Sequence, residues 1–297
     1  MTSYRTDGTV GPWAREKLDR LKAYLDPYTR ILRSRRSWYE HVIYFDAFAG
    51  AGKAPLRKEN TTTTDLPLLP NPSDAQHDDD YSEYVLGSPY IALSLEVPFT
   101  EYIFVEKDEH KASELEAFVE PFRKRSDIRV VVSDADTVIR HEINGANRNW
   151  RKTRGVFFLD PFGLQVGWDA IELLAKTKAI EVIVNLPVGT TIQRFLPKNA
   201  EVTESNRARL NKYFGDEGWY DVVYSSQQDL FGSIVAKNED AGEKLARWYV
   251  DRMKRIFGHA SAPRLIRNQN GGHLYYLVWA GPHPKGYEIA KYVLGPV

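Results

Sequence analysis

The stretch His41-Val42-Ile43-Tyr44-Phe45-Asp46-Ala47-Phe48-Ala49-Gly50-Ala51-Gly52 decides the reading of the chain. After His41 it is a run of β-forming residues that stops at an acid, and two glycines follow two positions apart. That order describes a buried strand entering a glycine-rich turn. Upstream, Leu18, Leu21, Tyr24, Leu25 and Tyr28 fall at helical spacing, and Arg30, Arg33, Arg35 and Arg36 collect behind them, so residues 13–36 are predicted to be a helix. Downstream, 53–86 holds a Thr run at 61–64, several prolines and the acids Asp74, Asp78, Asp79 and Asp80, and reads as an exposed insertion loop. Order returns at Gly87-Ser88-Pro89, where Ser88 suits a helix N-cap and Pro89 a first helical residue, with a helix running to about Glu96.

A regular alternation then begins. Strand 102–105 ends at Glu106, strand 129–132 leads to Asp134, strand 155–159 ends at Asp160-Pro161-Phe162-Gly163, and strand 181–185 runs into Leu186-Pro187. Helices are predicted between them at 109–123, 136–150 and 168–176. This is an α/β pattern, a doubly wound, mostly parallel, Rossmann-like sheet with helices on both faces. Later helices are predicted near 203–214, 241–257 and 286–294, with strands at 264–267 and 273–280 to complete the sheet. The expected organisation is an N-terminal helical extension over 1–40 and a ligand-binding domain over 41–297, which carries the 53–86 loop and a helical insertion at 200–260.

The 297 residues balance 40 basic against 40 acidic side chains, which gives no support to a broad polycationic nucleic-acid surface. There is no cysteine, so disulfides, Cys-ligated zinc and Fe–S clusters are excluded. The absence fits a cytoplasmic protein. No apolar run is long enough for a membrane span, and the polar start does not read as a signal peptide. The histidines show no metal-binding spacing, and neither a P-loop nor a G-x-S-x-G elbow is present, so no metal site, NTPase or hydrolase is expected.

Four successive predicted strands end at or just before an acid: Asp46, Glu106, Asp134 and Asp160. In open α/β sheets ligands bind outside the carboxyl ends of the strands, so these acids are placed to line one crevice. A dinucleotide fits poorly. Pro55 occupies the third glycine position of its fingerprint, and a pyrophosphate calls for few anions. S-adenosylmethionine (SAM) has no phosphate and carries a sulfonium and an ammonium. A unit charge pair about 4 Å apart is worth roughly 4 kcal/mol at an effective dielectric near 20, which favours a cationic ligand in such a crevice. Asp46 and Glu106 lie 60 positions apart, and without the 34 residues of 53–86 the separation is 26, near the usual distance from glycine turn to ribose-binding acid. On this reading Glu106 accepts the ribose hydroxyls and Asp134 the adenine amino group. Asp46 and the Gly50–Gly52 backbone face the methionine end, and Asp160-Pro161-Phe162 lies by the methyl acceptor. A lone acid after a strand is ordinarily a helix cap, and Gly50 and Gly52 alone would make an ordinary tight turn. The four acids in register with G-x-G are what carry the reading.

These residues resemble the three-Cys-motif partner proteins (TcmP), a class I SAM-dependent methyltransferase-like family. The resemblance rests on 44–53, Gly87-Ser88-Pro89, Phe104-Val105-Glu106-Lys107-Asp108, Phe158-Leu159-Asp160-Pro161-Phe162-Gly163, Asn185-Leu186-Pro187, Leu274-Tyr275-Tyr276-Leu277, and the first helix with Lys17, Leu21, Tyr24 and Leu25. More distantly, the order of motifs is similar to the J-type 23S ribosomal RNA adenine-N6 methyltransferases. The resemblance implies a cofactor set of Asp46, Phe48, Ala49, Gly50, Gly52, Ser88, Glu106, Lys107, Asp134 and Ala135, and a catalytic set of Asp160, Pro161 and Phe162. It implies methyl transfer to an amine, most readily on a nucleic-acid base, or else a partner subunit without turnover beside a radical-SAM-like three-Cys-motif protein. The acceptor motif departs from the Asp/Asn-Pro-Pro-aromatic pattern of aminomethylating enzymes. Phe stands for the second Pro and Gly for the aromatic, which leaves Phe162 to stack in its place.

Lys17 has two readings, a side chain folded over the site or a solvated helix-surface lysine, and the second is expected. Arg33, Arg35, Arg36, Arg151, Lys152 and Arg154 are expected to be solvated surface rather than phosphate contacts. Asn185-Leu186-Pro187 reads equally as a second wall of the acceptor pocket or as an ordinary strand exit.

Overall fold

The computed structural model describes residues 13–35, 37–55, 84–145, 148–229, 232–268 and 270–295. Most of the expected 53–86 loop, residues 56–83 with its acids and its Thr run, lies outside the described residues, as do 1–12 and Arg36. The described ends of that loop, β2 (Lys53–Pro55) and β3 (Tyr84–Leu86), pair antiparallel.

The main sheet holds β1 (His41–Asp46), β4 (Glu101–Glu106), β5 (Asp127–Val132), β6 (Thr153–Leu159) and β7 (Ile180–Leu186), all parallel, in the order β5-β4-β1-β6-β7. β12 (His273–Gly281) joins β7 antiparallel, and β10 (His259–Ala260) and β11 (Arg264–Arg267) pair with the outer edge of β12. The fold is therefore the expected mostly parallel, doubly wound, Rossmann-like sheet. From β1 the chain winds outward through β4 and β5, then crosses to β6, so the winding reverses between β1 and β6, where such sheets form their crevice.

Side chains alternate across the sheet. Ile43, Phe45, Ile103, Val105, Phe157 and Leu159 pack against α4 (Ala135–Arg140), α5 (Trp168–Lys176), α6 (Glu204–Phe214), α7 (Gly218–Val223) and α8 (Ala241–Phe257). Val42, Tyr44, Tyr102, Phe104, Val156 and Phe158 face α1 (Trp13–Arg33), α2 (Ser88–Leu93), α3 (Glu109–Val119) and α9 (Pro284–Leu294). Helix α1 is thus no extension. Its Leu21, Tyr24, Leu25 and Tyr28 are buried in this second core, and it packs beside α9 and α2.

Three expectations are corrected. The 200–260 stretch is not a helical insertion: it contains an antiparallel hairpin, β8 (Tyr224–Asp229) and β9 (Gly232–Lys237), and α8 lies on the sheet over β10 and β12. The polar composition of β8 hid the hairpin, because no apolar alternation marks it. The helix expected over 136–150 stops at Arg140 and widens into a π turn over His141–Gly145. That turn carries Glu142 into a buried ion cluster, where Arg148 donates to Glu101 and Glu142 and Arg129 donates to the same two acids at 2.9–3.0 Å. Burial opposes the charge on Glu101, but bonds from Arg148 and Arg129 outweigh it and hold its carboxyl below the usual range. Helix α2 takes Gly87, not Ser88, as its N-cap. Among the described residues no helix is long and apolar enough to cross a membrane.

Candidate functional site at the carboxyl ends of the strands

Asp46 is the last residue of β1, level with Phe104 on one side and Phe158 on the other. It is wholly buried, at 0% exposure. Its carboxylate accepts from the Phe48 N–H at 3.3 Å, the Tyr44 hydroxyl at 3.3 Å and the Ser88 hydroxyl. Burial lifts its pKa to about 7, the neighbouring Asp160 carboxylate adds to the shift, and the three donors oppose it. Asp46 therefore offers no surface to a ligand. It fastens the turn through Phe48 and the start of α2 through Ser88, and the expectation that its carboxylate faces the methionine end is corrected.

The turn it fastens is shaped by two glycines in the left-handed region, Gly50 at φ +61° and Gly52 at φ +80°. A Cβ on Gly52 would meet a Phe118 ring carbon at 2.9 Å, so the glycine is needed for packing against α3. A Cβ on Gly50 would meet nothing within 4 Å among the described residues, so Gly50 borders space that these residues leave open. Beside that space Glu106, at the end of β4, accepts the Gly50 N–H at 3.0 Å on one oxygen and the Asp108 N–H at 2.9 Å on the other. Each oxygen keeps a lone pair for a further donor. Phe48 is half-buried against the core, and Ala49 and Ala135 bury their methyl groups, so Ala49 and Ala135 can meet a ligand only through the backbone.

Asp134, beyond β5, caps α4. It accepts the Thr137 N–H at 2.9 Å and the Thr137 hydroxyl at 2.7 Å, and these bonds hold its pKa below the ordinary value. Lys107 lies near enough to add a small lowering. The helix-cap role is therefore the one the contacts of Asp134 display.

Asp160 follows β6, on the far side of the switch point from Asp46. One oxygen accepts Lys17 Nζ from α1, and the other accepts the Asn185 side-chain N–H at 2.6 Å. Lys17 is thus not a solvated lysine: its side chain is 14% exposed, and its ammonium also lies 5.6 Å from the Tyr275 ring centre. Tyr275 is the residue that sequence reasoning missed at this site, its only signal being its place in a stretch that carried the resemblance, while Lys17 takes the less favoured of its two readings and folds over the site. Asn185 is buried, and its Oδ1 has no partner. Asn185, at the end of β7, thus sits against Asp160, at the end of β6. Pro161 is buried, while the Phe162 ring stands 89% exposed on a backbone fixed at both ends. The Phe162 N–H donates to Gln165 at 3.1 Å, and its carbonyl accepts from Thr191 at 3.0 Å.

The four strand-end acids do not form an uncompensated negative rim. Lys17 pairs with Asp160, burial raises the pKa of Asp46 and so opposes its charge, and Asp134 is committed to a cap. Glu106 remains as the partly accessible acid beside the open space at Gly50. The geometry is that of a backbone-and-carboxylate cradle at β1/β4 next to the paired Asp160 and Asn185 side chains at β6/β7.

No protein-family model matches the sequence, and no curated protein does. Among solved structures, a Legionella pneumophila protein of the DUF519 family is similar at 14% identity, covering 94% of this chain and 93% of that one, with a TM-score of 0.47. The Escherichia coli protein yhhF, whose methyltransferase assignment is provisional, aligns at 14% identity over 95% and 92% of the two chains, with a TM-score of 0.37. A Listeria monocytogenes protein with a similarly provisional assignment to SAM-dependent methyl transfer aligns at 8% identity over 83% and 93%, with a TM-score of 0.34.

Proposed function

We propose that the chain binds SAM and transfers its methyl group to an amine, with a nucleic-acid base as the preferred acceptor class. The observation that carries this reading is Asn185 Oδ1, a buried acceptor without a partner, held beside the Asp160 carboxylate across the switch point from the Gly50–Glu106 cradle. Two acceptors side by side suit the N–H groups of an amine. SAM would supply a methyl group on a sulfonium, an electrophile that needs a positioned nucleophile more than acid–base chemistry.

The residues divide the work accordingly. Gly50, lacking a side chain, admits close approach of the ligand, and Glu106 has lone pairs left for two ribose hydroxyls. Asp160 and Asn185 would accept the amine hydrogens and aim the nitrogen lone pair; SAM would supply the methyl group and leave as the neutral thioether S-adenosylhomocysteine, with the amine proton passing to solvent. The exposed Phe162 ring offers a stacking face for a base, which suits it to the aromatic position that the acceptor motif lacks.

A second reading is favoured by one observation: both Asp160 oxygens are already taken, by Lys17 and Asn185. On that reading the chain is a SAM-binding partner subunit of a radical-SAM-like three-Cys-motif protein and transfers nothing itself. Calorimetry with SAM and S-adenosylhomocysteine, against NAD as control, tests the binding common to both. Methyl-labelled SAM incubated with total RNA, DNA and protein separates them. Label in RNA or DNA supports transfer to a base; binding without label in any fraction, with the cognate partner present, overturns the enzyme and leaves the partner subunit.

A further inference from the structure

A second concavity lies at the opposite end of the sheet. Arg154 near the start of β6, Glu181 near the start of β7, Tyr28 on α1 and the first turn of α9 meet around a cavity of about 430 Å³. Arg154 and Asp160 stand at the two ends of β6, about 20 Å apart at roughly 3.3 Å per residue, so this cavity is no part of the site described above.

Its lining is mainly cationic and apolar; the two carboxylates in the wall are already engaged, Glu181 by the Tyr24 hydroxyl and Glu288 by the Lys285 ammonium. Arg154 stacks its guanidinium over the Tyr39 ring at 4.3 Å and spends one nitrogen on backbone carbonyls. Among the described residues neither Arg154, Arg35 nor Lys178 is in an ion pair, although all three line the cavity. The amino end of the eleven-residue helix α9 adds partial positive charge. His283, its N-cap, is held below its ordinary pKa, first by burial and then by the charges of Arg154 and Arg35, as a positive field requires. The Tyr28 hydroxyl is the independent observation: Tyr28 lines the cavity, is 5% exposed, and its buried oxygen has no partner among the described residues. Apolar side chains such as Ile31, Leu32 and Ile289 make up much of the remaining wall.

We propose that this cavity binds a flat organic anion, an aromatic or heterocyclic body carrying one phosphate or carboxylate. The anionic group lies between Arg154, Arg35 and the start of α9, the Tyr28 hydroxyl donates to it, and the ring system rests on Tyr39 and the apolar wall. The volume falls within the 300–1,000 Å³ common for small-molecule sites.

Fluorescence titration of the full chain with 1-naphthyl phosphate, 1-naphthoate, 1-naphthol and inorganic phosphate tests this. The two ring-bearing anions bind saturably at one site, at least tenfold tighter than 1-naphthol, and inorganic phosphate alone binds at least tenfold more weakly. Saturating S-adenosylhomocysteine and Glu106→Ala leave the titration unchanged, which keeps the result separate from the proposed SAM site. Arg154→Gln and Arg35→Ala each weaken 1-naphthyl phosphate at least fivefold, and Tyr28→Phe at least threefold, without changing 1-naphthol binding. The exposed Arg35 keeps the test valid if Arg154→Gln fails to fold. Equal affinity for 1-naphthol and 1-naphthyl phosphate, no binding of either anion at millimolar concentration, or full affinity in Arg35→Ala and Tyr28→Phe would overturn the proposal.

Discussion

Lys17 and Asp160, 143 positions apart in sequence, form an ion pair that ties the first helix to the end of β6. Asn185 holds the other oxygen of the same carboxylate. The carboxylate is therefore fixed in one rotamer before any acceptor arrives, an arrangement that serves positioning.

Lys17→Met, which keeps the length and removes the charge, should lower methyl transfer at least tenfold while leaving SAM affinity within about threefold. The pair is only partly buried, so the stability loss should be about 1–2 kcal/mol, between the values for exposed and fully buried pairs. Paired measurements of label transfer and SAM binding check this. Unchanged transfer in the variant would refute the positioning role.

The two turn glycines should respond differently to alanine. Both substitutions put a side chain at positive φ, at about 1–2 kcal/mol each. At Gly52 the new methyl also strikes Phe118 at 2.9 Å, so Gly52→Ala should lose clearly more stability than Gly50→Ala. At Gly50 the methyl enters the open space beside Glu106, so Gly50→Ala should fold well but bind SAM at least tenfold more weakly. Denaturant unfolding and calorimetry on both variants read these effects. Full SAM affinity in Gly50→Ala would remove the ligand from that space.

The parallel sheet was legible because its strands are continuous apolar runs broken by acids and glycines, and period and punctuation agree there. α5, α8 and β11 begin and end where the pattern put them. The π turn at His141–Gly145 was not legible, since its cause is the pairing of Glu142 with Arg129 and Arg148 in the folded state. The positions of the strand-end acids followed from sequence, but their partners did not. Lys17 reaches Asp160 only because α1 folds back over the sheet, and Ser88 reaches Asp46 only because β1 and α2 pack together. Sequence thus located the rim of the crevice and overestimated its negative charge.

The Glu101–Arg148–Glu142–Arg129 cluster makes a separate stability prediction. Arg148 is mostly buried and spans both acids, while Arg129 is more exposed. Arg148→Ala leaves two buried carboxylates to the remaining arginine and should cost about 3–5 kcal/mol. Arg129→Ala should cost less, because the buried fork of Arg148 remains in place. Equal losses from the two variants, measured by denaturant unfolding, would contradict this division.

Asp46 and Glu181 give stability an unusual pH dependence. Burial raises both carboxyls to about 7, from ordinary values of 3.8 and 4.5. Between roughly pH 4.5 and 7 the folded chain therefore binds protons at these groups that the unfolded chain has released. Their contribution is complete below the unfolded values and is lost as pH rises through about 7, with a slope near 1.4 kcal/mol per pH unit for each group. The lowered pKa of His283 acts in the opposite sense, because there the unfolded chain binds the extra proton as pH falls below its ordinary value. Comparing variants cancels that background. Asp46→Asn and Glu181→Gln should each flatten the fall in unfolding free energy between pH 5 and 8, and each should gain stability over the parent chain at pH 8 relative to pH 5. Parallel curves for the parent and Asp46→Asn across that range would mean that Asp46 is ionised in the fold throughout, its three donors outweighing burial.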